Sequence, residues 1–510
     1  MSKKPNILFF LTDDHGAWAL GCAGNPEVKT PNLDRIAREG VRFDNCFCAS
    51  PVCSPARVSI LSGKIPSQHG VHDWLAKGHL DSDEALSDDL KKAFDDPNSE
   101  WYYNWPKNQL SGDYAIRYLE RHKTYTEVLA ENGYECGISG KWHMGDSFHP
   151  QAGFSFWRTT AMGGDNYRYP VVLENGKMEL KEDQYITDVI TDNALDFLEL
   201  RDPEKPFYLS VHFTAPHSPW AEEHHPKEYI DMYRDCPFTS TPNVPPHPWA
   251  PNGKKTLEQW NSEPHNGIRF SRANYGPIPE TWEEHRYESL RGYYAAITAM
   301  DAAVGRILNK LEADGILDDT LIVFTGDNGM NMGHHGIWGK GNGTLPVNMY
   351  DTAVKVPGLF RLPGKVQENV VNHEMVSHYD FYETILDIAG VPFEKPEEMP
   401  GVSFAPLLSG EKQRVRDSVV VLDEYGPCRM IRTQEWKLVL RIPDGPNELY
   451  DLVNDPGEDV NLFDDPDCQG IIQTLSKDMN DWYGKYADPE FDGSKENVRG
   501  KGQLTSHSFQ

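Results

Sequence analysis

Three short apolar runs in the chain are each followed by residues that can bind a cation or carry a proton. Ile7 to Leu11 leads into Thr12, Asp13, Asp14 and His15; Phe207 to Val211 leads to Pro216 and His217; Leu321 to Phe324 leads into Thr325, Gly326, Asp327, Asn328 and Gly329. Carboxylates are ligands for hard cations, and imidazoles exchange protons near neutral pH. Singly, each cluster reads equally well as turn or cap chemistry, because Asp-Asn-Gly makes a good turn and an Asp pair can cap a helix. Three clusters after three strands shift that balance. In an open parallel sheet, ligands sit beyond the carboxyl ends of the strands, so these groups should gather in one crevice.

The elements that must place them there are set by periodicity. Each run is apolar throughout and bounded by turn residues, the pattern of a strand buried on both faces. Helical patterns lie between them, Thr126 to Asn132 closed by Gly133, and Tyr293 to Leu311 ending before Gly315. This alternation predicts an α/β fold with a mostly parallel central sheet covered by helices. Segments 81–108 and 218–279, rich in Trp and Pro, have no sustained period and read as insertions over the strand ends, where they would shape a pocket. After Ser409 the composition changes: Val419 to Leu422 and Trp436 to Ile442 read as strands and Ile471 to Tyr483 as a helix. A large domain over 1–411 and a small α+β domain over 412–510 are therefore expected.

Composition narrows the function. The 510 residues carry 49 Lys and Arg against 78 Asp and Glu, a formal charge of −29, which repels nucleic acid and anionic membranes. Aromatics at 11% are too many for a disordered acidic chain. No run approaches the ~20 apolar residues of a membrane span. Eight cysteines without a regular framework fit a reducing compartment. With no signal-type leader, the expected location is cytoplasmic, or periplasmic or secreted if a leader was removed. Oligomeric state leaves no trace in the sequence.

The most specific feature is Cys53-Ser54-Pro55-Ala56-Arg57, continued by Val58-Ser59-Ile60-Leu61-Ser62-Gly63-Lys64. It closely resembles the signature of the type I, formylglycine-dependent sulfatases of the alkaline phosphatase superfamily. Other segments agree in order: Gly133 to His143 resembles the second family signature, Ala215-Pro216-His217-Ser218-Pro219 the histidine loop, Gly326 to Gly329 a metal half-site, His335 to Gly341 the late lysine loop, and Glu448 to Leu452 with Asp455 and Glu458 the small domain. The resemblance covers essentially the whole chain. It implies an alkaline-phosphatase-like large domain and a small C-terminal domain with an antiparallel sheet that completes the active-site rim.

It also implies a chemistry. A maturation enzyme oxidises Cys53 to formylglycine, whose hydrated diol attacks sulfur while His217 and Lys340 assist the leaving alcohol; His143 then deprotonates the second hydroxyl, sulfate leaves and the aldehyde returns. Arg57 and Lys141 would hold the diol and the sulfate oxygens. Asp13, Asp14, Asp327 and Asn328, with residue 53, would hold Ca²⁺, or alternatively Mg²⁺. The residue types suit this: three carboxylates and an amide favour a hard cation, and an anionic ester needs cations to offset repulsion and stabilise charge on the transferred oxygens.

Other readings of the same residues stand beside this one. Cys46, Cys48 and Cys53 form a C-x-C-x4-C cluster that could suggest zinc, but no partner cluster has the usual spacing. His334 and His335 read either as a structural pair or as a substrate contact. Trp74, Trp142, Trp220 and Trp338 read either as sugar-stacking rings or as core. Substrate contacts are expected from His335, Trp220, Arg269 and His265, and the expected substrate is a sulfated mono- or oligosaccharide. The alternatives are a formylglycine-dependent phosphonate monoester or phosphodiester hydrolase, and a non-catalytic binding protein in which Cys53 stays a thiol. Elemental analysis of the purified protein should find stoichiometric calcium or magnesium; stoichiometric zinc with neither would overturn the oxygen-ligand reading.

Overall fold

In the first strand, β1 (Asn6–Thr12), successive side chains enter two different cores: Ile7, Phe9 and Leu11 pack in one cluster and Leu8 and Phe10 in another. The strand is covered on both faces, which is why its sequence is apolar without alternation. The structure, a computed structural model, describes residues 4–75, 78–81, 87–96, 98–99, 115–164, 166–174, 176–250 and 282–495. Of the two expected insertions, residues 82–86, 97, 100–108 and 251–279 thus lie outside the described residues.

The other strands in or beside the large domain are β2 (Val41–Phe47), β3 (Glu135–Lys141), β4 (Phe156–Thr160), β5 (Val171–Glu174), β6 (Lys177–Leu180), β7 (Phe207–His212), β8 (Thr320–Gly326), the two-residue strands β9 (Asn331–Met332) and β10 (Trp338–Gly339), β11 (Gly358–Arg361) and β12 (Val370–Ser377). Among the described residues, ten of the strands form one sheet in the order β12-β2-β11-β8-β1-β7-β3-β4-β5-β6. Only β11 and β5 run against the rest, as their antiparallel pairings show. The carboxyl ends of β1, β2, β3, β7 and β8 therefore share one edge.

One face is covered by α1 (Pro31–Arg38), with α4 (Ile186–Leu200) and α5 (Trp282–Ala313), and the other by α2 (Cys53–Ser62), α3 (Tyr125–Glu131) and α6 (Phe381–Ala389). Helix α5 already extends back to Trp282, the first described residue there, eleven residues before the Tyr293 expected from the sequence. Its first turns bury His285 and Arg286, and the guanidinium donates to the carbonyls of Phe238 and Thr241, so a polar face that reads as solvent-exposed is in fact inside. Its partner is the described part of the 218–279 insertion, where Trp220, Ile230, Tyr233 and Phe238 pack with Trp282, Tyr293 and Tyr294. That insertion is thus partly a core element rather than only a rim.

The second sheet has strands β13 (Val419–Asp423), β14 (Cys428–Arg432), β15 (Trp436–Arg441) and β16 (Glu448–Asp451), all antiparallel. Val420, Leu422, Ile431 and Leu438 pack on α7 (Gln469–Tyr486), while Val419, Val421, Met430 and Val439 join the main core. A buried charge cluster reinforces the junction. Lys437, fully buried on β15, donates to the Met349 carbonyl at 3.0 Å and pairs with Glu458 and Asp351, and Glu458 in turn accepts the Asp351 N–H at 2.7 Å. Breaking a buried pair strands its partner's charge, at a cost of about 3–5 kcal/mol, whereas an exposed pair contributes about 0–1 kcal/mol. Lys437→Met should lower the melting temperature far more than Lys477→Met, which removes an exposed partner of Asp481; equal shifts would show that the cluster does not join the sheets.

Candidate active site

Nearly every expected catalytic side chain lies at or just beyond the carboxyl end of a parallel strand. Asp13 and Asp14 come after β1, Cys53 opens α2 after β2, Lys141 ends β3 with His143 two residues on, His217 comes after β7, and Asp327 and Asn328 come after β8. Lys340 arrives on the loop that contains β10. All ten residues of α2 are buried, so its hydroxyls and guanidinium must find partners inside: Ser62 bonds the Val58 carbonyl, Ser59 the His69 ring, and Arg57 the site.

The three carboxylates are each matched with a cation. Arg57 Nε donates to Asp327 Oδ2 at 2.8 Å, Lys340 Nζ to Asp14 Oδ1 at 2.6 Å, and Lys141 Nζ pairs with Asp13 Oδ2. Cys53 Sγ sits among them, 3.4 Å from Asp13 Oδ1 and 2.6 Å from Lys340 Nζ. Asn328 Nδ2 donates to Asp14 Oδ1 at 2.8 Å, and His217 Nε2 lies 3.6 Å from Asp14 Oδ2. Burial, and then Asp13, push the Cys53 thiol up to about 12. Burial pulls the Lys340 ammonium down, but Asp14, Cys53 and Asp13 outweigh it and keep it charged. Burial, with Lys141, His79 and Arg57 adding to it, holds His143 neutral, well below the usual imidazole range.

Backbone strain marks two of these positions. Asp14 and His143 have φ of 57° and 53°, in the left-handed region that non-glycine residues avoid. The Asp14 turn is held by Tyr293, whose hydroxyl donates to the Asp14 carbonyl at 2.9 Å, and by Asp327 Oδ1, which accepts the Asp14 N–H. At the end of β3, a Cβ on Gly140 would lie 2.0 Å from the His212 carbonyl oxygen, so glycine there lets β3 and β7 approach closely.

The residues that hold the strand ends were not among those expected. The Lys141 carbonyl accepts from Arg57 Nη1 and from His212 Nδ1, both at 2.9 Å, while His212 Nε2 accepts from Ser210 Oγ. His378 Nε2 donates to the Gly326 carbonyl, and Asn348 Nδ2 holds the carbonyls of Lys340 and Gly341. Burial pulls both His212 and His378 down to about 3, so they act as neutral struts. His212 directly extends the apolar run of β7 and was visible in that position; His378 and Asn348 leave no local signal.

The expected substrate contacts divide. His335, at φ 55°, stacks on Tyr350 with ring centres 3.7 Å apart and is half-buried. Its neighbour His334 packs beside Trp18. Trp220 is buried, donates to the Pro216 carbonyl at 2.8 Å and meets Tyr293 edge-on, so it buttresses the histidine loop instead of presenting a face to a sugar. Trp142 and Trp338 are likewise buried. His265 and Arg269 lie outside the described residues.

The donor set can be tested against the metal the resemblance implies. Asp13, Cys53 and Asp327 bring ligand atoms within 4.8 Å of one another, as do Asp13, Asp14 and His217. Asn328 Oδ1 is buried with no partner in the protein, an acceptor awaiting a donor or a cation. These oxygens fit Ca²⁺ or Mg²⁺. Cys46 and Cys48 pack in the main core and do not join Cys53 in a three-ligand group among the described residues, which removes the zinc reading.

Comparison with known proteins defines the class. The profile of the family described as Sulfatase matches residues 5–391, and the chain belongs to that family, within the alkaline phosphatase superfamily; it is a sulfuric ester hydrolase. A second profile, N-sulphoglucosamine sulphohydrolase C-terminal, matches residues 333–485. The chain is 29% identical to the N-acetylglucosamine-6-O-sulfatase of Bacteroides thetaiotaomicron over 98% of its own length and 90% of the relative's. It is 27% identical to the choline-sulfatase of Rhizobium meliloti, covering 91% and 83%. A solved structure in complex with D-glucosamine-2-N,6-O-disulfate superposes with a TM-score of 0.73 at 28% identity, over 97% of this chain and 100% of that one.

Asp327→Asn should remove the anionic partner of buried Arg57 and weaken one carboxylate of the donor set to a neutral amide, lowering kcat/KM by roughly 10³-fold, as for loss of a preorganised charge in other active sites. Metal content by elemental analysis should fall with it. Asp231→Asn, on the surface beside Lys227 and Arg234, should change neither; equal losses would misplace the centre.

Proposed function

We propose that this sulfatase hydrolyses the sulfate ester of a sulfated mono- or oligosaccharide, using a formylglycine made from Cys53 and a bound Ca²⁺ or Mg²⁺. The observation that carries this reading is a set of buried polar atoms at the site with no protein partner: Asn328 Oδ1, Arg57 Nη2 and His143 Nδ1. An acceptor for a cation, a donor for an anion and a base for a proton all stand ready, and leaving such atoms unsatisfied costs stability unless a ligand completes them.

A bound divalent cation would supply positive charge at the sulfate oxygens, and the hydrated aldehyde two hydroxyls, one to attack sulfur and one whose deprotonation releases sulfate. The protein's own groups do the rest. Arg57 and Lys141 hold the anion and residue 53. Lys340, beside residue 53, and His217, with a quarter of its side chain exposed, are the members nearest solvent, so they protonate the alcohol as it leaves. His143 Nδ1 takes the proton in the second half. Sugar recognition lies at the rim carrying His335, where Tyr350 also approaches Tyr450 of the C-terminal sheet. A carbohydrate is favoured because the relatives aligned over nearly the full chain include an N-acetylglucosamine-6-O-sulfatase and a structure in complex with a glucosamine disulfate.

A maturation enzyme that converts Cys53 is an implied partner. Mass spectrometry of the Cys53 peptide, from protein made with and without such a maturase, should show aldehyde content rising in proportion to specific activity. A panel of sulfated sugars, led by 6-O-sulfated glucosamines, should then be cleaved in preference to choline sulfate, aryl phosphates and phosphonate monoesters. Full activity in unmodified protein would overturn the nucleophile, and activity confined to the non-sugar esters would overturn the substrate.

A further inference from the structure

Two buried histidines share one acceptor beside the nucleophile. The Leu75 carbonyl oxygen lies 3.1 Å from His143 Nε2 and 3.0 Å from His79 Nε2, with the two rings 5.4 Å apart. A carbonyl only accepts, so each ring carries a proton on Nε2. For His143 this leaves the lone pair on Nδ1, the buried atom without a partner. The ring is also confined from behind, because a Cβ on Gly163 would stand 2.0 Å from His143 Nε2. Leu75 is itself anchored: its N–H donates to Ser54 Oγ at 3.1 Å, and Ser54 is the fully buried second residue of α2, adjacent to Cys53. A short path therefore links the two reacting groups, from residue 53 through the Ser54 hydroxyl and the Leu75 residue to the imidazole.

We propose that Ser54 is a positioning residue for the base: its hydroxyl fixes the Leu75 segment, whose carbonyl holds His143 as the Nε2–H tautomer with Nδ1 able to accept a proton. This rests on the reading of His143 as the base for sulfate release. The proton leaves the second hydroxyl of residue 53 for Nδ1, the freed O–H pair restores the carbonyl, and the carbon–oxygen bond to sulfate breaks with its electrons on sulfate. Ser54 takes no part in that transfer. Without its acceptor, the Leu75 peptide can shift and the imidazole can turn or change tautomer, which slows the second half-reaction and leaves attack on sulfur alone.

The test compares Ser54→Ala, Ser54→Thr and His143→Ala, with rates taken per aldehyde titrated by an aminooxy probe. Ser54→Ala should lower kcat ~10–100-fold, a fraction of the ~10²–10⁴ that general-base catalysis contributes, with KM falling in step so that kcat/KM is little changed. Its burst of alcohol release should persist, and the quenched peptide containing residue 53 should carry sulfate; Ser54→Thr should restore turnover. If His143→Ala accumulates sulfated peptide and Ser54→Ala does not, or if Ser54→Ala slows the burst itself, the positioning role is wrong. If His143→Ala fails to accumulate it, the base assignment falls instead. A second measurement needs no aldehyde. In ¹⁵N-histidine-labelled protein with Cys53 unconverted, the His143 signal, identified by its loss in His143→Gln, should report the Nε2–H tautomer and change in Ser54→Ala. An unchanged signal overturns the proposal.

Discussion

The structure depends on burying three carboxylates within a few ångströms of each other. Asp13, Asp14 and Asp327 are at most 8% exposed, and like charges this close repel strongly in a low-dielectric interior unless each is compensated. The fold compensates them one for one, with Lys141, Lys340 and Arg57 drawn from three separate elements. The pairing explains why strands far apart in sequence must converge at one edge. It also leaves the centre close to neutral, so that a dication and an anionic ester can enter together without a large change in local charge.

Holding six charged groups in register requires that the strand ends themselves do not move. Parallel strands with both faces covered supply the frame, and neutral imidazoles supply the joints. His212 and His378 each donate to a carbonyl at the end of a site strand, at Lys141 and Gly326. Kept neutral by burial, they add hydrogen bonds without adding charge to a centre that already balances. The Lys437 cluster plays the corresponding part for the segment after the lysine loop, anchoring Met349 and Asp351 to the second sheet.

Much of this was legible from residue order. Strands buried on both faces announce themselves as uninterrupted apolar runs, and Ile7 to Leu11, Phe207 to Val211 and Leu321 to Phe324 all sit within sheet strands in the predicted orientation. The groups just beyond them meet because topology brings one kind of strand end to one edge. What stayed hidden is what depends on long-range partners. Nothing local distinguishes a Trp220 that props a loop from one that stacks on a sugar, since both are an indole beside a proline. The early start of α5 was masked by Arg286, a charge whose acceptors are carbonyls some 45 residues away. The pairing of carboxylates with particular cations was likewise invisible, because it is set by geometry across the crevice and not by spacing.

Helix α2 encloses a whole motif, and the enclosure sets an order of events. Its residues are buried on every side, with Cys53 itself 2% exposed, and the groups that surround it belong to strands contributed by both ends of the large domain. No other protein can reach that sulfur once the sheet has closed. An enzyme that converts Cys53, as proposed above, would have to act before folding, and the state of residue 53 would then be the outcome of a race between two clocks, the chain's collapse and that enzyme's turnover. Molecules that fold first would be committed: native in every contact described here, they would keep a thiol. Within one preparation, two populations identical in shape can then differ only in when each was met.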